Sequence, residues 1–391
     1  MTTTDPISSR ADARTDSIVD RAACGDPVAV VDRAHQVADE FLFPAAQDTD
    51  RADLLPSTNL RALADAGLFG IAGPVEAGGL ALPPLPARRV FAAVGGACGA
   101  TFFVWAQHHG CVRLIARADD PGLRDEFLDD MCAGRVVAGQ AFAHLRRPGA
   151  PPIHARRVDG GWRVNGFAPW MTSWGIADLF LIAAETDDHE VVWCSIRTPG
   201  GDVSPDTIPD GVIPGGLPLP VFAPTGTITV RLDDWFVPDE SVVLTEDADR
   251  WRTIDRLTVA VGQPAMLGVA ARATDLLAAA ARGDDDPAVD TAVRLRDEID
   301  ARWSDDDALM GRILDPPTAH TDAWDELAHE SADHRARCLD VARRSTTALL
   351  AAVGGGGMSL THPAQRLARE TEFYVIQGQS ADGRAATLRA T

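Results

Sequence analysis

The stretch best suited to chemistry is GWRVNGFAPWMTSWGIAD, residues 161–178. Trp162, Val164 and Phe167 favour extended backbone, Asn165-Gly166 is a strong hairpin-turn signal, and Trp170-Met171-Thr172 begins a second extended run. The spacing predicts strand, turn, strand, with a large ring and a hydroxyl where a sheet edge meets the turn. Such a pair can hold a flat heteroaromatic cofactor: the indole stacks, and the hydroxyl or a backbone N–H bonds to a ring nitrogen. The same residues also make an ordinary hairpin with a packed tryptophan, and residue type alone leaves both readings open.

Composition removes other chemistries. Every one of the 36 basic residues is arginine, so no lysine is present for Schiff-base or P-loop chemistry. Cys24, Cys98, Cys111, Cys132, Cys194 and Cys338 are scattered without CxxC spacing, which argues against a zinc site and for reduced thiols in a cytoplasmic protein. With 57 acidic residues the net charge is −21 and no basic stripe is visible, so nucleic acid and anionic membranes are not expected partners. No apolar run is long enough to cross a bilayer, and the first residues lack an apolar signal core; neither insertion nor secretion is expected. At 391 residues, 46% hydrophobic and 24% charged, the chain is an ordinary globular protein with room for one large core or several smaller ones.

The elements that must position residues 161–178 fall into three blocks. Residues 1–25 are polar, rich in Thr, Ser and Asp, and expected to be disordered. Residues 26–133 read as helical: 27–48 with an end near Pro44, 57–66 capped by Gly67, a glycine-rich loop at 70–80, then 87–97, 100–116 and 122–131. Residues 134–246 change texture to short apolar or alternating runs separated by Gly, Pro and Asp, predicting an antiparallel sandwich or barrel; no GxGxxG follows a strand, which disfavours a Rossmann sheet. Residues 247–391 return to helical period: 252–282 interrupted by Pro264, 287–307, 323–353 stopped by Gly354 to Gly357, and 362–376, with a turn at DPPTAH (315–320). The fold class is α+β.

From about Phe41 to Leu388 the chain resembles the acyl-CoA dehydrogenase family, by matches that occur in the family's order. LRALADAGLFGIAGPVEAGGL is similar to the segment where a helix ends at Gly-Leu and enters a PE-x-GG loop, with Glu76 displaced by Val75. Residues 161–178 resemble the family's NG-x-K-x-W-I-T-N hairpin; RLDDWFVPDESVV resembles the strand that closes its β domain; GGGGMSLTHPAQRLARETEF resembles its GGxG turn and following helix. The resemblance implies an N-terminal α-helical domain, a central β domain and a C-terminal four-helix bundle. It also implies FAD, with FMN as the variant, held by Trp170, Met171 and Thr172 at the ring and approached by Gly355 and Gly378.

The chemistry so implied is α,β-desaturation of an acyl thioester: flavin takes hydride from the β carbon while a carboxylate removes the α proton. The family's usual base is a Glu directly before a Gly in the C-terminal tail. Here that position is Gln377, and an amide cannot abstract a proton at neutral pH. Some members place the base on the first long C-terminal helix, just before an Arg, which here is Asp255 before Arg256, with Arg256 then in the substrate pocket. The structural alternative for Asp255 is a first-turn residue favoured by the helix dipole. The family's flavin strand has become AHLRRPGAPP, in which Arg146 and Arg147 are either solvated or compensate for an acidic turn, Asp284 to Asp286, at the diphosphate position.

Two other readings follow from the same resemblance. The fold also hosts two-component flavin monooxygenases supplied with reduced flavin by a reductase, where Trp105, His108 and His109 would border the flavin and substrate pocket. The loss of the tail Glu alternatively fits a catalytically silent thioester-binding member. The expected partners are an acyl-CoA or acyl-carrier-protein thioester, an electron-transfer protein or flavin reductase, and further copies of the chain in a homodimer or homotetramer.

Overall fold

The computed structural model describes residues 25–391 except 148, 150, 261–263 and 315–321. The tail at 1–24 and the turn at 315–320 lie outside the described residues. Helices come first: α1 (Pro27–Val37), α2 (Phe43–Asp50), α3 (Ser57–Asp65), α4 (Pro84–Ala97), α5 (Gly99–Ala116) and α6 (Pro121–Cys132). Pro44 does not end the first helical path as expected. A π-type turn, Ala38–Leu42, links α1 to α2 and takes up the missing proline N–H. Gly67 does stop α3, in the left-handed conformation at φ 70°.

Among the described residues eight strands follow: β1 (Ala138–Ala141), β2 (Ile153–Val158), β3 (Gly161–Met171), β4 (Leu179–Thr186), β5 (Glu190–Arg197), β6 (Val212–Gly216), β7 (Ile228–Pro238) and β8 (Val242–Asp247). They form one sheet in the order β6-β7-β3-β2-β4-β5-β8, with β1 also on β4. The sheet is mixed rather than purely antiparallel, because β1 and β2 both run parallel to β4. LFLIAAET explains this: every residue of β4 is buried, Leu179, Leu181 and Ala183 in one apolar cluster and Phe180, Ile182 and Ala184 in another. A strand covered on both faces is the usual place for parallel pairing.

The hairpin expected at Asn165-Gly166 is not there. The turn comes earlier, at Asp159-Gly160, and β3 runs unbroken through residues 165 and 166 as a bulge against β7, whose register shifts between Val164↔Trp235 and Gly166↔Leu232. The Asn165 side-chain oxygen accepts the Asp234 N–H at 2.8 Å, so it serves the bulge rather than a turn. Gly166 has φ 142°, and a Cβ there would lie 2.1 Å from the Pro152 carbonyl oxygen. Gly166→Ala is therefore expected to cost about 2–3 kcal/mol in denaturant unfolding, through backbone strain and forced displacement of β2.

The C-terminal part contains α7 (Ala248–Ala260), α8 (Ala265–Ala279), α9 (Pro287–Leu314), α10 (Asp322–Val353), α11 (Pro363–Phe373) and α12 (Ala381–Ala390). The single helix expected at 252–282 is two, α7 and α8, with Pro264 at the head of the second. The bundle consists of α8, α9 and α10 packed together, with α7, α11 and α12 laid on α10. It is fused to the N-terminal helices through α4 and α8, which meet backbone to backbone: a Cβ on Gly268 would fall 2.0 Å from the Ala92 carbonyl oxygen, and one on Gly96 2.4 Å from that of Gly268. Arg88 joins α4 to α9 by two 2.6 Å hydrogen bonds to buried Asp306. Among the described residues, the cation in each such ion pair is arginine or histidine.

Candidate active site

A cavity of about 400 Å³ opens between α5, the end of β1, the end of β3, α7 and the segment after α11. That volume suits a small-molecule ligand. Its walls are largely apolar, with a few inward polar groups.

Helix α5 supplies Phe103, Ala106, Gln107, Gly110 and Arg113, spaced so that one helical face lines the cavity. Trp105, His108 and His109, expected beside the cofactor or substrate, do not line it. They stand about 100° or more round the helix and are buried in the core. His109 is stacked on Phe91 at 5.5 Å and meets Trp105 edge-on at 4.5 Å, with neither ring nitrogen hydrogen-bonded. His108 binds the Met131 carbonyl oxygen and accepts the Ala138 N–H, so it ties α5 to α6 and β1. Burial holds these imidazoles neutral, lowering His109 well below the usual range and His108 to about 4.

His144, whose Nε2 donates to the Ala183 carbonyl oxygen at 2.8 Å, is likewise lowered by burial to about 4. The sign follows directly. Unfolded histidine takes a proton near pH 6.5 while the folded rings resist, so stability is full above about 6.5 and drains as pH falls toward 4. Each ring contributes about 1.4 kcal/mol per pH unit in that window. The thermal midpoint should fall from pH 6.5 to 4.5, and His144→Gln, which keeps a donor for Ala183, should flatten the fall.

Strand β3 and the residue that follows it bring Trp170 and Thr172 to the cavity, while Met171 between them points into the core and is fully buried. Alternation along a strand imposes this split. Trp170 is half-buried, edge-on to Phe373 at 6.2 Å. Thr172 ends a ladder of hydroxyls. Thr225 donates to the Phe222 carbonyl oxygen at 2.7 Å; Thr227 must then donate to Thr225 at 2.8 Å, and Thr172 to Thr227 at 3.0 Å. Each hydroxyl has one proton, so Thr172 retains only an acceptor lone pair.

Gln377 and Gly378 line the cavity from a turn after α11, with Gly378 at φ 61°. Buried Arg335 holds that turn by donating to the Tyr374 and Gln377 carbonyl oxygens at 2.7 and 3.0 Å. The Gln377 side-chain oxygen is buried with no donor.

Asp255 is the one carboxylate that lines the cavity among the described residues. It lies two turns into α7, beyond the reach of the dipole effect expected for a first-turn residue. Arg146 grips it in a fork: Nε donates to Oδ2 and Nη2 to Oδ1, both at 2.7 Å. Arg146 is thus not a solvated loop residue; its guanidinium also lies 4.9 Å from the centre of the Phe142 ring. Arg256, expected in the pocket, faces away and bonds Asp382 at 2.6 Å and Asp325, joining α7 to α10 and α12. Gly355 is exposed past the end of α10, outside the cavity.

The Trp170–Thr172 end of the cavity has groups that would suit a flavin ring: a half-exposed indole and a hydroxyl left able only to accept. The acidic turn at the diphosphate position is satisfied within the chain, because Asp286 accepts the Arg282 and Ala288 N–H groups at the start of α9. No group of three or more His, Cys, Asp or Glu among the described residues is placed to hold a metal, and no described helix is long and apolar enough to cross a membrane.

Sequence reading missed Phe91, Phe103, Gln107, Gly110, Arg113 and Gln140 as lining residues. The signal available for the α5 residues was their 4-3-3 spacing on one helical face.

Residues 26–135 match the family model described as acyl-CoA dehydrogenase, N-terminal domain. Benzylmalonyl-CoA dehydrogenase of Aromatoleum aromaticum is 26% identical over 90% of this chain and 94% of that protein. Among solved structures, butyryl-CoA dehydrogenase from Megasphaera elsdenii superposes with a TM-score of 0.73 at 18% identity, covering 93% of this chain and 97% of the other. Dibenzothiophene monooxygenase from Paenibacillus sp. A11-2 superposes equally well, at 0.73 and 16% identity, over 92% and 96%.

Proposed function

We propose that this chain, which has the acyl-CoA dehydrogenase fold and that family's N-terminal domain, is a flavin-dependent oxidoreductase that desaturates an acyl thioester between its α and β carbons. One observation carries this reading: a single cavity gathers Trp170 and Thr172 from β3 and Asp255 from α7. When bound, a flavin supplies the hydride acceptor.

The remaining work belongs to the chain. Trp170 would cover the ring, and Thr172, limited to accepting, would take a hydrogen bond from a ring N–H. Asp255 takes the α proton on a lone pair that the Arg146 fork leaves free. Gln377, at the position of the family's usual base, contributes hydrogen bonds and no proton transfer. Phe91, Phe103 and Phe373 keep water from the reacting carbons. The flavin, FAD or FMN, is held more by its ring than by its phosphates. The reading includes a CoA or carrier-protein thioester, an electron-transfer partner, and a homodimer or homotetramer in the cytoplasm.

The test is an absorbance titration. Added FAD should give the protein a bound-flavin spectrum, and an acyl-CoA added without oxygen should bleach it. Failure to bind flavin in either redox state would sink the reading.

A second reading has its own support: the fork from Arg146 occupies the cavity's lone carboxylate. In a two-component monooxygenase no base is needed, and the pair would be a fixed wall. Substrate oxygenation that depends on an added flavin reductase, with no bleaching by acyl-CoA, would favour it.

A further inference from the structure

The Thr172 hydroxyl is governed from behind the cavity wall. Its hydrogen-bond partner among the described residues is Thr227, which in turn meets Thr225; both of these are buried and neither lines the cavity. The backbone keeps the three side chains in a row. Residues 171–174 run beside residues 225–228: Met171 pairs with Ile228 in the β3–β7 ladder, the Ser173 N–H donates to the Thr225 carbonyl oxygen, and the Trp174 N–H donates to that of Gly226, each at 2.9 Å. Gly139 of β1 closes in as well, since a Cβ there would lie 2.8 Å from the Thr172 carbonyl oxygen.

The direction of the protons is set at the far end of the row. Phe222 has φ 60°, a left-handed conformation that is costly for a bulky residue. Its carbonyl oxygen accepts both the N–H and the hydroxyl of Thr225, at 3.1 and 2.7 Å. A carbonyl has no proton to give, so the single hydroxyl proton of Thr225 must lie on that contact, and the two contacts beyond it inherit their direction. Reversing either of them would leave one buried hydroxyl proton without an acceptor. The Phe222 ring stacks on Phe103 at 5.5 Å and meets Phe373 edge-on at 4.7 Å, and both of these line the cavity. The packing that shapes the aromatic wall therefore also anchors the row.

We propose that Thr225 and Thr227 are positioning residues that bias the cavity toward a two-electron-reduced flavin, by holding Thr172 as an acceptor. The inference rests on the flavin reading and adds to it the residues that set the redox preference. Two-electron reduction changes ring nitrogen N5 from a hydrogen-bond acceptor into an N–H donor. An acceptor-only hydroxyl pairs with the donor and presents a lone pair to the acceptor. One neutral hydrogen bond made in a single redox state is a factor of about 10 in affinity.

The experiment measures, without oxygen, the dissociation constants of the full chain for oxidised FAD and for dithionite-reduced FAD, and takes their ratio. Thr227→Val leaves the Thr172 proton without an acceptor in the row and free to turn to the cavity. The preference for the reduced form should fall about 10-fold, equivalent to a drop of about 30 mV in the two-electron potential of the bound flavin. Thr225→Val should act alike from one rung further back, because Thr227 then turns its proton to Thr172 and makes it a donor. Thr225→Ser and Thr227→Ser keep every hydroxyl and should keep the wild-type ratio. Damage to packing alone would weaken both redox states together and leave the ratio where it was. A ratio unmoved by both valine variants, or moved as far by the serine variants, would overturn the assignment while leaving the flavin reading intact. Absence of binding by either form of FAD to the wild-type protein would overturn both.

Discussion

Asp255→Asn is expected to slow anaerobic reduction of the bound flavin by an acyl thioester about 10³-fold, with the flavin spectrum and its affinity unchanged. A positioned general base contributes about 10²- to 10⁴-fold, and no second carboxylate lines the cavity among the described residues to take over. Asparagine fills the same space and keeps one acceptor for Arg146, while its amide nitrogen faces the second guanidinium N–H, so the change removes the proton acceptor together with one prong of the fork. The fork makes a further demand. Each oxygen of Asp255 accepts one hydrogen bond from Arg146 in the resting arrangement, so the guanidinium draws on the same negative charge that the α proton must meet. Arg146→Gln should then leave Asp255 freer to act, raising the reduction rate or shifting its pH profile, while Asp255→Asn in the same background stays slow. Stopped-flow absorbance measures both. An unimpaired Asp255→Asn would remove the base from this helix and strengthen the oxygenase reading.

Gly268→Ala is expected to destabilise the protein by about 3 kcal/mol or more, measured by denaturant unfolding. Overpacking a filled interior usually costs about 1–3 kcal/mol. Here the added methyl meets main chain rather than a movable side chain: it would lie 2.0 Å from the Ala92 carbonyl oxygen. Neither helix can yield alone, since Gly96 on α4 has the same intimacy with Gly268 in return. Relief requires α4 and α8 to separate, which opens the seam between the N-terminal helices and the bundle. Gly356→Ala is the control. Its Cβ would meet nothing within 4 Å, so its effect should stay within about 0.5 kcal/mol.

Much of this architecture can be read along the chain, and the misses have a common cause. Helices with a clean period and a local stop, such as α3 before Gly67, depend on residues within one or two turns of each other. Asn165-Gly166 has the local chemistry of a turn, but its use as a bulge is decided by β7 and by the Pro152 carbonyl oxygen. Parallel pairing of β1 and β2 to β4 likewise depends on layers packed over β4 from distant segments. The site divides in the same way. Trp170, Thr172, Asp255, Gln377 and Gly378 meet in the cavity, each having been found by its place in an ordered set of motifs. Trp105 and His109 were chosen for their chemistry, and helix rotation turned them into the core. Arg256 was chosen for adjacency to Asp255, and the same 100° step sent it toward α10 and α12. Arg113 stood on the lining face throughout, but nothing local marks that face as the one that meets the cavity.

The ion pairs that cross the fold depend on guanidinium groups, with no ammonium anywhere among the side chains. A lysine-based pair begins to lose its charge near pH 10, whereas an ordinary guanidinium stays charged at more alkaline pH. Activated acyl groups also transfer spontaneously to side-chain amines. Should the cavity take an acyl thioester as proposed, no lysine side chain is there for that ligand to acylate.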